Sequence, residues 1–205
     1  MKDNKERFIE LLKSTQREGI DYVLDDLEDW GFYTAPASSN HHYNYDGGLL
    51  EHSLNVYDMA IRIREQIISL RPDLEKELPV DSVIIASLLH DVCKTDIYFK
   101  RTRKRKNEAG AWEAYECYEV DYSNLPIGHG EKSVILLLRS GLDINEDEML
   151  AIRWHMAPWD LPFQSLELCK SVDKARHDHP LCTLVQCADG LAANILEMDI
   201  KVDKL

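Results

Sequence analysis

Six residues of this chain are of kinds that hold divalent transition metals through nitrogen and oxygen: His52, His90, Asp91, His129, His155 and Asp189. Their spacing puts several of them where a globular protein ordinarily places apolar side chains. His52 shares a helical face with Val56, Ala60, Ile63 and Ile67, at intervals of three or four residues. Asp189 shares one with Val185, Ala192 and Leu196. His90 and Asp91 terminate "DSVIIASLLHDVCK", which is apolar nearly all round and therefore expected at the centre of a helical domain. A buried carboxylate without a partner costs roughly several kcal/mol, and a buried imidazole less. One inward histidine is ordinarily a satisfied core residue; six such groups call for a common cause. Metal binding supplies it, because neutral imidazoles and ionised carboxylates converge on a cation whose charge compensates the carboxylates. Adjacent His90 and Asp91 cannot share a helical face, but at a frayed helix end both reach one centre. With two metals close together, Asp91 is the carboxylate placed to bridge them.

Two of the six have structural alternatives. His129, in "GHGEKS", also reads as a helix N-terminal residue in a Gly-rich turn, and His155, in "AIRWHM", as a C-terminal residue meeting the helix dipole. Lys94 follows Asp91 by three residues. It is a candidate for holding a phosphate oxygen and stabilising charge in a transition state, or for capping its helix. His41 and His42 sit in the loop "SSNHHYNYDGG" and are candidates for substrate contact. Trp154 and Met156 flank His155; with Trp159, Leu161 and Phe163 they line a pocket, pack in the core or form a dimer contact.

The elements that must position these groups are helices. Asp3 with Glu6 marks a first start, a short helix runs from Asp21 to Gly31, and a long one from Gly47-Gly48 to Leu70, before Arg71-Pro72. Further helices are expected from Asp81 to His90, from about Gly130 to Arg139 and from Glu146 to about His155. "SLELCKSVDKA" forms another, and the last opens at Pro180. The pattern is all-α except for an insertion over about 96–123. There two strands joined near Asn107–Gly110 place Trp112, Ala114, Tyr118, Val120 and Tyr122 on one face of a β-hairpin. Its first strand carries Lys100, Arg101, Arg103, Lys104, Arg105 and Lys106. This is a solvated tip that discourages edge pairing, or an arm whose Arg101 and Arg103 draw a polyanion, such as a nucleotide or a short single-stranded nucleic acid, toward the metals.

At 205 residues the chain suits one domain over 1–205, with 44% hydrophobic and 30% charged residues. A formal charge of −13 argues against a general binder of duplex nucleic acid or of anionic membrane. The N-terminus lacks the apolar core of a signal peptide, and runs such as "VILLL" are too short to span a bilayer, so a cytoplasmic protein with no membrane partner is expected. The cysteines at 93, 117, 169, 182 and 187 form no CxxC pair and are expected to be reduced and mostly buried. Oligomeric state is open.

The order His52, His90-Asp91, Asp189, with the segments "GGLLEHSLNV", "SLLHDVCK", "GHGEKS", "AIRWHM" and "QCADGLAANI", resembles the HD-domain superfamily of metal-dependent phosphohydrolases. The resemblance extends over about 38–198. It implies an HD-domain helical bundle carrying the hairpin as an insertion, and a metal site of His52, His90, Asp91 and Asp189. His129 and His155 stand where binuclear members add histidines, so two divalent metals per chain are expected; manganese, iron, cobalt, nickel and zinc all suit these ligands. Lys94 completes an HDxxK arrangement similar to several phosphodiesterase branches. The implied activity is hydrolysis of a nucleotide or phosphodiester by a metal-activated water, with Asp91 and Lys94 as the catalytic residues and a small phosphorylated substrate as partner. An HD-type di-iron oxygenase shares the ligand order. A binding module stapled by metal is the non-enzymatic alternative.

Overall fold

A computed structural model describes residues 2–108, 110–157 and 166–198. Helices α1 (Lys2–Ser14), α2 (Ile20–Asp29), α3 (Gly48–Leu70) and α4 (Val80–Leu89) precede an antiparallel hairpin of β1 (Tyr98–Lys106) and β2 (Trp112–Val120). Helices α5 (His129–Arg139), α6 (Glu146–Trp154), α7 (Leu166–Asp178) and α8 (Pro180–Leu191) follow. This is the expected all-α bundle with a β-hairpin. No helix among the described residues is long and apolar enough to cross a membrane.

The all-apolar pattern of α4 has the predicted consequence: every residue from Ser82 to Leu89 is buried. Burial of each large aliphatic there contributes about 1.5–3 kcal/mol relative to exposure. Helix α3 packs on α4 and α8, while α6 packs on α4, α5 and α8, so the five helices that carry or end on inward polar groups meet around one core. On α3, His52, Val56 and Ala60 are buried on a single face.

Two glycines permit the approaches on which the site depends. A Cβ on Gly130 would lie 2.3 Å from the Arg153 carbonyl oxygen and 2.6 Å from that of Ile152, so only glycine lets the start of α5 sit on the end of α6. A Cβ on Gly48 would lie 2.1 Å from the Tyr43 carbonyl oxygen, and its absence seats the 38–46 loop on the first turn of α3. Helix α6 is held at its other end by a capping box, in which the Asn145 side chain accepts from the Glu148 amide and the Glu148 carboxylate accepts from the Asn145 amide. That carboxylate is fully buried and also accepts two hydrogen bonds from Arg17, both 2.8 Å, and one of 2.6 Å from Ser82.

Two expectations need correction, and two arginines of the hairpin take a definite place. Leu196 does not share the inward face of Asp189; it is 49% exposed. The chain leaves α8 through a π-turn over Ala192–Leu196, closed by a bond from the Glu197 amide to the Ala192 carbonyl, and the extra residue brings Glu197 inward instead. Of the cysteines only Cys93 and Cys182 are buried. Arg101 and Arg103 do not line the cavity described below; both face Glu119 across the hairpin, Arg103 Nε at 2.7 Å and Arg101 Nε at 4.0 Å. Alternation puts them on the opposite face from Lys100, whose ammonium reaches Asp46 at 2.8 Å. Trp159, Leu161 and Phe163 lie outside the described residues.

Candidate metal centre

His90 follows the last residue of α4, and Asp91 leaves helical geometry with φ −112° and ψ 19°. Both side chains are thereby released from the helix surface toward one point. His155 stands at the matching place after α6. Each imidazole caps its own helix: Nδ1 of His90 donates to the Ser87 carbonyl (2.8 Å) and Nδ1 of His155 to that of Ile152 (2.7 Å). Those are last-turn carbonyls that no helical amide reaches. His52, on α3, has its Nδ1 3.0 Å from both oxygens of the Glu197 carboxylate.

With Nδ1 engaged as donor in all three rings, Nε2 is the nitrogen each ring has left to offer a metal: a lone pair on a neutral ring, and on His52 a position freed by loss of its second proton. These nitrogens converge. His90 Nε2 is 3.3 Å from His52 Nε2 and 3.1 Å from Asp91 Oδ2. His52 Nε2 is 3.3 Å from Asp189 Oδ1 and 3.5 Å from Asp91 Oδ2. His155 Nε2 is buried without a hydrogen bond and lies 3.4 Å from Asp91 Oδ1. Acceptors facing acceptors repel unless a cation lies among them, so the donor set fits a divalent metal.

Asp91 divides that set. Its Oδ2 faces His52 and His90, and its Oδ1 faces His155 and His129, the latter at 2.5 Å. The groups that could hold an ion follow this division: His52, His90 and Asp91 in one, Asp91, His129 and His155 in another, with His90, His155 and Asp189 between them. All six residues named from the sequence thus come together. Glu197, buried against His52 and Asn55, is a seventh functional group that the sequence reading missed. No spacing in the sequence marks it, because the π-turn over Ala192–Leu196 shifts the register between Asp189 and Glu197.

Charge inside the cluster is strongly coupled. Burial raises the Asp91 carboxyl, but Lys94, His90 and His129 outweigh it and hold the group well below the usual carboxylate range. Burial alone would lower His52; hydrogen bonds to Asp189, Asp91 and Glu197 reverse that and raise it to about 10 in the metal-free chain. His90 is lowered chiefly by burial, in keeping with a neutral ring. Lys94 is buried with its ammonium 2.6 Å from Asp91 Oδ2. Burial lowers its affinity for a proton, Asp91 raises it further, and the net shift is upward, so Lys94 is a fixed cation.

The cluster floors a cavity of about 1310 Å³, whose lining includes Asp91, Lys94, His129, His155 and Asp189. His41 and His42 line its wall, with Tyr43, Tyr45, Tyr98, Tyr122, Met156 and Gln186. Trp154 instead packs in the core. The His42 ring is 5.0 Å from that of His52, and burial first, then His52, lower its pKa to about 4, so it is neutral at pH 7.

A helical bundle with a His-Asp pair released at the end of its central helix, and two further helices delivering His52 and Asp189, defines an HD-type domain. Comparison with known families agrees: the profile described as HD domain matches residues 49–194, and the chain belongs to that family. Among curated proteins, the dihydroneopterin 2′,3′-cyclic phosphate phosphodiesterase of Methanocaldococcus jannaschii is 31% identical over 93 residues, which cover 45% of this chain and 34% of that protein. The chain therefore spans about a third of the length of that relative. No solved structure matches the chain.

Proposed function

We propose that the chain is a metal-dependent phosphohydrolase that cleaves a phosphodiester in a small, nucleotide-like molecule. The division of Asp91 between two histidine groups carries the reading, since it is the arrangement by which one carboxylate serves two metals. His52, His90, Asp91 and Asp189 would hold one ion, and Asp91, His129 and His155 the other. Manganese, iron, cobalt, nickel and zinc all suit this mixture of imidazole and carboxylate. Ions held there would supply a water of lowered pKa as nucleophile and would neutralise charge on the phosphoryl oxygens.

The protein's own part is positioning and charge. Lys94 is locked in place by Asp91 and opens onto the cavity, where it meets negative charge developing on a phosphoryl oxygen without having to move. His41 and the neutral His42 stand on the wall above the floor as hydrogen-bonding groups toward the substrate. Tyr43, Tyr45, Tyr98 and Tyr122 give the same cavity faces for a planar ring, and Gln186 an amide for its polar edge. The matched relative is named for a cyclic phosphate ester of a planar heterocycle, which agrees with a phosphate at the floor and a ring at the wall.

The test is turnover of 2′,3′-cyclic nucleotides, 3′,5′-cyclic nucleotides and a chromogenic phosphodiester by protein reconstituted with each metal in turn. Metal-dependent release of a phosphomonoester is expected. Asp91→Ala is expected to abolish it while the helical circular dichroism persists; turnover that survives in that variant overturns the mechanism.

A further inference from the structure

Tyr98 belongs both to the cavity wall and to the first strand of the β-hairpin, so the hairpin leads away from the cavity across a surface that a mononucleotide would leave unused. We infer that one face of the β-hairpin is a track for single-stranded nucleic acid leading into the cavity, an inference that rests on the phosphodiesterase reading above. The pairing register places Tyr98, Lys100, Thr102, Lys104 and Lys106 on the same face as Val120, Tyr118, Glu116, Ala114 and Trp112. Tyr98 is part of the cavity wall. One repeat outward, Lys100 and the Tyr118 hydroxyl both bind Asp46, next to the cavity residue Tyr45, which ties this face to the cavity mouth. Farther out stands Lys104, and at the end of the ladder Lys106 lies directly across from Trp112, which is 68% exposed with the Lys106 ammonium 5.6 Å from its ring centre.

The two faces of the hairpin differ in what they have left to offer. The arginine face is spent internally, since Arg101 and Arg103 meet Glu119 and Arg105 meets Glu113 at 2.7 Å. On the lysine face, Lys104 and Lys106 form no ion pair among the described residues. Lys100 is held by Asp46 and Glu116, which leaves two unpaired cations, Lys104 and Lys106, beside an exposed indole: a single strand can lay phosphates on the ammonium groups and a base on Trp112. The track runs about 27 Å from Tyr98 to Lys106 at the rise of an antiparallel strand. That is room for on the order of four nucleotides, the lower end of single-strand site sizes. The remaining surface of a chain with charge −13 repels a polyanion, so the strand has one approach. A duplex is too wide for the face, and a lipid surface would want more apolar area than one indole.

Fluorescence anisotropy with labelled phosphorothioate oligothymidylates of two and eight nucleotides tests this on the whole chain, beside an eight-base-pair duplex and phosphatidylserine vesicles. The octamer is expected to bind at least tenfold tighter than the dimer and tighter than the duplex. The variant Lys104→Ala/Lys106→Ala is expected to flatten the slope of log affinity against log salt by about 1.4. Trp112→Ala is expected to weaken the octamer roughly tenfold. All three positions are exposed, so folding and turnover of the chromogenic diester should be unchanged. Equal affinity for dimer and octamer, an octamer indifferent to these substitutions, or binding to vesicles alone would each overturn the track. Absence of diester turnover with every metal would instead overturn the phosphodiesterase reading, which the binding data do not address.

Discussion

At the scale of single residues, the site is governed by which nitrogen of each imidazole is occupied. His90 and His155 use backbone carbonyls of their own helices for that purpose, whereas His52, in mid-helix, has none free and takes the Glu197 carboxylate. Glu197→Ala should therefore loosen the metals without removing a ligand. It leaves the His52 Nδ1–H buried without its acceptor, and loss of such a supporting partner typically weakens metal affinity about 10- to 100-fold. Glu197→Gln keeps an oxygen for the same bond and should recover most of the affinity. Calorimetric metal titration of the three proteins checks this, and an unweakened Ala variant would show that Glu197 does not orient His52. His52, His90, Asp91 and Asp189 were legible from sequence because each interrupts an apolar pattern, and His129 and His155 because they stand where the HD-type order adds histidines. Glu197 was not, because its inward turn depends on the π-turn at 192–196, which no local residue preference announces.

At the scale of elements, the helix pattern was readable nearly to the residue: the expected span from Gly48 to Leu70 is that of α3, and Pro180 does open α8. Hydrophobic periodicity and proline punctuation carry that information locally. The pairing of charges across the hairpin is not readable, since it depends on register, and so sequence does not show that Arg101 and Arg103 face Glu119. The anchoring of α6 by Glu148 was equally hidden, because Arg17 comes from 131 residues away. That anchor matters to the site, for α6 ends in His155. Glu148→Ala removes the capping box, strands Ser82 and leaves the Arg17 guanidinium, itself 18% exposed, without its carboxylate. Breaking a buried pair of this kind costs about 3–5 kcal/mol, with the lower figure favoured where one partner reaches solvent. Urea denaturation should show the midpoint falling with little change in slope. A loss below about 1 kcal/mol, the usual worth of an exposed pair, would mean that the network is not held in solution.

For the whole molecule, the metals are expected to be part of the fold as well as of the chemistry. Five helices and the 192–197 turn direct ionisable groups at one point, so the metal-free chain must keep those charges compensated by protons. The His52 imidazolium is the chief of these, with its pKa raised to about 10 by Asp189, Asp91 and Glu197 against the effect of burial. A metal must displace that proton to reach Nε2, whereas Asp91 and Asp189 are held ionised and release none. The sign follows. Below pH 10 each step down in pH favours the protonated ring and weakens metal binding, while lowering the pH does nothing to help the carboxylates. Stabilisation by a ligand grows as the logarithm of its concentration over its dissociation constant and reaches about 2.7 kcal/mol at a hundredfold excess. At a fixed metal concentration the rise in melting temperature should therefore be larger at pH 8 than at pH 6, and elemental analysis of the saturated protein should give two ions per chain. A shift that is equal at both pH values would mean that the metal does not compete with the proton on His52, and its ligands would have to be sought among the groups around Asp91 Oδ1 instead.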